Sequence, residues 1–399
     1  MRIFVVCDSP YLFTGLARVN RHVIKGLRDS GHEVILGAWG WDQLAYPLGK
    51  NSQWMYEDNE NGYQYVAFPL SKDPKKLLIQ TYEILKSIPC DVLLTIGDYW
   101  NFAGFELLKS KLDYGYKWIS YYTIESSPIN EDFLESFNYM DEIMAPSLFG
   151  KKVVEDSTGL KCHHVPYGID HDTFYPLSDE EREAERTKRE LTGKIRFINV
   201  CKNQNRKNIP AFLEALKIAN KKDNRIVGYL HTNIDKKVQS QVNVRNIIKR
   251  LGIEDIISVP NKKISLDIGC SDADLRIEYG CSDALVLSSV AEGFGFPLLE
   301  AQACGIPAIA SDCSSMSELC FEKGLLAKCM KYYGSMEQEV GIVDVEDLAE
   351  KMCKISSFEV RKEKMSEFFK GFLWNKTNAR IENVISSMSD EVAIPVEEV

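Results

Sequence analysis

The strongest constraint in this chain is an alternation of strand-length apolar runs with amphipathic helical stretches. "RIFVVC" (2–7) is followed by the loop "DSPYLFTG" and then by "LARVNRHVIKGLRDSG", which sets Leu16, Val19, Val23 and Leu27 at three- and four-residue spacing. That spacing is one face of a helix. Gly31 ends it as a C-terminal glycine does, and "EVILGAW" is the next strand. Strand, helix, strand in this order predicts a right-handed crossover and a parallel sheet. "CDVLLTIG" (90–97), "YKWISYYT" (116–123), "DEIMAPS" (141–147) and "HHVPYG" (163–168) continue the series.

A charged stretch, "SDEEREAERTKRELTG" (178–193), then interrupts it, which predicts a solvated helix at a domain junction. A second series follows: strand "IRFINVC", helix "IPAFLEALKIAN", strand "RIVGYLHT", a helix at about 236–251, strand "IISVPN", helix "DADLRIEYGC" with Asp272 as its N-cap, strand "DALVLSS", a turn and helix, and strand "PAIASD". The tail "SDEVAIPVEEV" is acidic and reads as frayed. The fold class is therefore α/β, with two successive doubly wound, Rossmann-like domains facing a central cleft. The length of 399 residues agrees, because single cores stop growing near about 250–300 residues. In such sheets ligands bind beyond the C-terminal ends of the strands.

Composition narrows the function. A net charge of −10 argues against broad electrostatic binding to nucleic acid, leaving only a local basic groove. No run of about 18 apolar residues suggests a membrane span. The N-terminus reads as a buried strand rather than a signal peptide. Eleven cysteines without C-x-x-C pairs fit reduced thiols and a cytoplasmic location. No G-x-G-x-x-G follows a strand, which weighs against a dehydrogenase.

The stretch with most chemistry is "AEGFGFPLLE" (291–300). It follows a strand and opens a helix, with Pro297 in the first turn. N–H groups there lack helical partners, and the helix dipole favours an anion. Gly293 and Gly295 remove side chains, so a phosphate can approach the backbone. Glu292 and Glu300 flank the turn, and carboxylates accept hydrogen bonds from hydroxyls. Hydroxyls at both ends and phosphate between them describe a nucleotide sugar.

The residues "EGFGFPLLEAQACGIPAIA" resemble the signature of the family-4 retaining glycosyltransferases of the GT-B fold. "VPYGIDHDTFYP", "FINVCKNQNRKNIPAFLEAL" and "FLWNKT" resemble its interdomain segment, its donor-domain start and its terminal segment. The resemblance implies an acceptor-binding domain at 1–175, completed by a helix at about 372–390, and a donor-binding domain at 194–371. It assigns Glu292 to the donor sugar and Glu300 to the ribose. The turn amides of Gly293, Phe294 and Gly295, with Phe296 beside them, meet the sugar or phosphate. Lys207 matches the lysine that neutralises the departing diphosphate. Its usual arginine partner is here Lys202, which keeps the charge without the planar fork, and Arg206 is placed to help. Gly15, in "FTGLAR", remains of a usual double glycine and lets the backbone approach the diphosphate or the acceptor. Glu125, in "YYTIESSP", stands near the acceptor hydroxyl or the donor sugar; the alternative is a capping or loop acid. The implied reaction is transfer of a sugar from a nucleotide-diphosphate sugar, such as a UDP-sugar, to a hydroxyl of a glycan, lipid or small molecule. Configuration is retained, and no cofactor or metal is required.

Other signals read as structural. The D-x-D pattern at 170–172 reads as part of the interdomain segment and that at 272–274 as a helix cap, "CHH" (162–164) and the aromatic group "YGYKWISYY" read as strand residues, and the basic stretch 236–250 reads as a solvated helix face. Three alternative functions stand beside transfer: a DNA-modifying glycosyltransferase acting on a hydroxylated base, a nucleotide-sugar epimerase, and a non-catalytic nucleotide-sugar binding protein. Donor base, donor sugar, acceptor, linkage and oligomeric state are not written in the sequence.

Overall fold

The computed structural model describes residues 1–40, 54–58, 63–234, 242–260, 270–334 and 337–388. Strands β1 (Arg2–Asp8), β2 (Glu33–Trp39), β3 (Trp54–Asp58), β4 (Tyr63–Pro69), β5 (Val92–Gly97), β6 (Lys117–Tyr122), β7 (Glu142–Ala145) and β8 (His163–His164) form one sheet. Their order is β3-β4-β2-β1-β5-β6-β7-β8. All pairs are parallel except the edge pair β3–β4. Strands β9 (Ile195–Val200), β10 (Ile226–His231), β11 (Ile257–Ser258), β12 (Ala284–Leu287), β13 (Ala308–Ser311) and β14 (Leu326–Ala327) form a second, wholly parallel sheet in the order β11-β10-β9-β12-β13-β14. The hairpin of β15 (Cys329–Tyr333) and β16 (Glu339–Val343) stands apart, and the sequence pattern does not predict it.

The strands are continuous apolar runs because helices cover both faces. Ile3 to Cys7 are buried without exception. The helix Gly15–Asp29 starts at Thr14, whose hydroxyl accepts from the Ala17 amide, and buries Val19, Val23 and Leu27 as the spacing predicts. The C-terminal helix Trp374–Ser387 returns to pack on it. Asn378 donates to the His22 carbonyl at 3.1 Å, and His32 meets Glu382 at 2.8 Å.

Several expectations change. The charged stretch does form a helix, Asp179–Lys188, capped reciprocally by Ser178 and Glu181. It is not simply solvated, because Arg182 and Arg186 both pair with Asp283 beside the second sheet. Arg186 also donates to the carbonyls of Cys281, Leu191 and Lys194. An arginine stem buries readily while its fork fills backbone acceptors, so charge content alone misjudges the face. Asp272 is not the N-cap: Ser271 accepts from the Asp274 amide, which leaves the Asp272 carboxylate for Arg18. Of the helix expected at about 236–251, Val244–Leu251 is observed, and 235–241 lie outside the described residues, as does the tail 389–399. Tyr116, Trp118, Tyr121 and Tyr122 are buried, in agreement with strand packing. His163 pairs with Glu142, and Asp170 accepts from Thr173 and the Asp172 amide in a turn. No helix among the described residues is long and apolar enough to cross a membrane.

Candidate active site in the cleft between the sheets

Parallel strands deliver their C-terminal ends to one edge, and the two sheets bring those edges face to face. Asp8 ends β1, Asp98 follows β5 and Glu125 lies just beyond β6. From the second sheet come Lys202, Arg206 and Lys207 after β9, and Glu292 after β12.

Glu292 is the centre of this set. It is 5% exposed, yet both carboxylate oxygens are satisfied. Lys207 Nζ lies 2.5 Å from Oε1, Ser289 donates to the same oxygen at 2.6 Å, and Arg206 donates to Oε2 at 2.9 Å. Burial would raise the pKa of this acid, but Lys207 and Arg206 override it and hold the group ionised, at about 2. Its backbone is fixed as well. The Glu292 amide donates to Ser314 Oγ at 2.9 Å, and Ser315 Oγ donates to the Glu292 carbonyl at 2.8 Å. Arg206 reaches on to Glu125 of the first domain at 2.8 Å, so one guanidinium spans the cleft.

Across from it the acids behave differently. Burial, reinforced by Glu125, pushes Asp98 up to about 7 although Arg206 and Lys72 oppose the shift. Burial also raises Glu125 against the pull of Arg206, and raises Asp8 against Lys72 and Lys202. Burial and the neighbouring Lys72 lower Lys202. Beside the cluster opens a cavity of about 270 Å³, lined by Glu125 and Ser127 on one side and by Ala291, Ser314, Lys331 and Glu339 on the other.

Glu300, 3% exposed, has Arg18 at 2.5 Å on one oxygen and the Tyr279 hydroxyl at 2.8 Å on the other. Gly293 is required by packing: a Cβ at that position would collide with the Thr123 side chain and stand 3.2 Å from the Thr123 carbonyl carbon. The close approach is between the two domains. Gly295 has φ +99, which favours glycine, at the start of the helix Phe296–Ala303. Phe294 is buried, and Phe296 stacks on Tyr167 at 5.5 Å. Gly15 packs on Phe296, where a Cβ would stand 3.0 Å from its ring.

The structure thus gathers Glu292, Lys207, Lys202, Arg206 and Glu125 in one place and sets Glu300 and Gly15 at the neighbouring domain contact. Sequence reasoning missed Asp8, Asp98, Lys72 and Arg18. The first two carried a usable signal: each acid sits directly after an apolar strand, at the end where ligands bind. Arg18 and Lys72 carried none.

Residues 181–329 match the family "Glycosyl transferases group 1". Mannosylfructose-phosphate synthase of Agrobacterium fabrum is 26% identical over 178 residues, covering 43% of this chain and 37% of that protein. O-antigen chain mannosyltransferase B of Escherichia coli is 41% identical over 56 residues, 14% of this chain and 15% of that protein. The matched stretches therefore span well under half of either relative. Among solved structures, sucrose-phosphate synthase of Thermosynechococcus elongatus superposes with a TM-score of 0.75 at 15% identity over 98% of this chain and 100% of the other. Anabaena Alr3699/HepE, in complex with UDP and glucose, gives 0.72 at 15% identity over 97% and 100%. The chain has the GT-B fold, and its residues 181–329 are similar to the glycosyl transferases group 1 family.

Proposed function

We propose that this chain is a retaining glycosyltransferase, moving a sugar from a nucleotide-diphosphate sugar to an acceptor hydroxyl. The observation that carries this reading is Glu292, buried and held ionised by Lys207 and Arg206 at the C-terminal end of β12. A carboxylate kept charged in the cleft accepts hydrogen bonds from sugar hydroxyls. The cations that share it are in place to meet a diphosphate. The group 1 match supports the reading, as does the likeness to a fold neighbour solved with UDP and glucose.

In this reading Lys207 and Lys202 neutralise the diphosphate as its bond to the anomeric carbon breaks, stabilising charge that develops only in the transition state. The acceptor oxygen bonds to that carbon on the face the diphosphate leaves, and a leaving phosphate oxygen takes the acceptor proton. Glu300 holds the ribose hydroxyls once Arg18 withdraws. Glu125, tied to Arg206, stands on the acceptor side of the cleft.

A thermal-shift screen of nucleotide sugars tests the proposal, because ligand at 100 times its Kd stabilises by about 2.7 kcal/mol. One nucleotide sugar should raise the Tm clearly above the others, and NMR of the product formed from it should give the donor's anomeric configuration. A flat screen, or an inverted product, overturns the reading.

A further inference from the structure

We propose that Cys313 and Cys329 form a redox-active dithiol, closing to a disulfide that fastens the β15–β16 hairpin to the loop beneath Glu292. Both cysteines line the cavity beside the candidate site and are partly exposed. The two side chains share one space. A Cβ placed on Gly341 would stand 2.7 Å from Cβ and Sγ of Cys313 and 3.1 Å from Cβ of Cys329. The two side chains border the same small volume and interact with each other, so a modest shift of the hairpin would bring their Cβ atoms to the about 3.5–4.5 Å that a bridge requires.

The chemistry of the pair is asymmetric. A hydrogen bond from Cys313 lowers Cys329 below the usual thiol value. Burial instead pushes Cys90, Cys162, Cys201 and Cys320 up to about 12. Cys329 is thus the attacking thiolate and Cys313 the resolving thiol. With a small organic disulfide as oxidant, Cys329 loses its proton to solvent and attacks one sulfur, breaking the S–S bond and expelling one thiolate. Cys313 then loses its proton, attacks the Cys329 sulfur of the mixed disulfide and expels the second thiolate. The thiolates take up the two protons. The protein loses two hydrogens, and the oxidant gains them as two thiols.

The place of the bridge gives it a consequence. Cys313 Sγ lies 3.4 Å from the Val290 carbonyl oxygen, and its neighbours Ser314 and Ser315 hold the Glu292 backbone. Ser314 has φ +50, a strained value for a non-glycine residue, so the loop is already under constraint. The hairpin in turn reaches the first domain, where the Glu339 amide donates to the Ser127 carbonyl at 2.6 Å. A Cys313–Cys329 bond would tie the hairpin that makes the Ser127 contact to the loop that holds Glu292, leaving the contact to the first domain a hydrogen bond. The inference does not depend on the transfer reading.

The test uses the full-length reduced protein, glutathione disulfide as the oxidant, and alkylation of the remaining thiols. Intact mass should fall by two hydrogens, proteolytic mapping should join Cys313 to Cys329, and dithiothreitol should reverse both changes. In Cys313→Ser, checked for native circular dichroism, Cys329 should instead retain one glutathione. A bridge between other cysteines, separate glutathionylation of both thiols in the wild type, or no reaction at Cys329 in either protein overturns the proposal.

Discussion

Arg18, on the helix Gly15–Asp29 of the first domain, reaches across the cleft to Glu300, 2.5 Å away and 282 positions later in the chain. Its other terminal nitrogen holds Asp272 at 2.9 Å, and the rings of Phe174 and Phe296 lie against its guanidinium. The carboxylate assigned to the ribose is therefore already occupied. If a nucleotide binds there, it competes with Arg18. Arg18→Ala should lower the Tm of the free protein, since breaking a buried pair costs about 3–5 kcal/mol. It should also enlarge the Tm increase that UDP produces. An unchanged or smaller UDP shift would mean that Glu300 does not receive the nucleotide.

Glu292→Ala and Lys207→Ala should each reduce transfer by about 100-fold or more, the scale seen when a group stabilising developing charge is removed. The first leaves Lys207 and Arg206 facing each other without their shared anion, so it should also lower the Tm. Circular dichroism separates lost activity from lost fold. Near-normal rates in both variants would remove the site from this part of the cleft.

Stability should depend on pH through Asp98. Its value is raised from 3.8 to about 7 by burial and by Glu125, with Asp8 adding to the shift and Arg206 and Lys72 opposing it. Between those values the folded chain keeps a proton that the unfolded chain has released. That contribution to stability is therefore present at low pH and lost as pH rises through about 7. Glu292 acts in the opposite sense: its depressed value gives stability above 4.5 that is lost as pH falls toward about 2. Urea unfolding between about pH 5 and about pH 8 should show a downward slope that Asp98→Asn flattens. An equal slope in both proteins would place the titration elsewhere.

Gly293→Ala should destabilise the chain by about 1–3 kcal/mol, because the added methyl meets Thr123 and the backbone behind it. Thr123→Ser removes the methyl group nearest the clash. A double-mutant cycle should then give a favourable coupling, seen as partial recovery of the Tm. Strict additivity would show that the two domains do not meet at this turn.

Most of the β/α order of the two sheets was legible because it is local, although β3, β4 and β14 were not anticipated. Period-two and period-3.6 patterns are set by the neighbours of each residue in the chain. The same locality placed the turn at 291–300 at the end of a strand and the start of a helix, while two separate motifs of the resemblance pointed to Glu292 and to Lys207. The helix at 179–188 shows the limit. Its charge pattern gave the element and its cap, but not the face that Arg182 and Arg186 bury against Asp283.

The sequence by itself determined two largely parallel sheets, the strand ends at which such sheets present their loops, and the acids of the turn. Only the tertiary structure decided what those groups touch: Arg18 on Glu300, Arg206 between Glu125 and Glu292, Thr123 against Gly293, Cys313 beside Cys329. These contacts join distant segments, and their free energy comes from burial and charge pairing across the cleft. No periodicity within either segment records that, because neither segment alone excludes the water that makes the pairing matter.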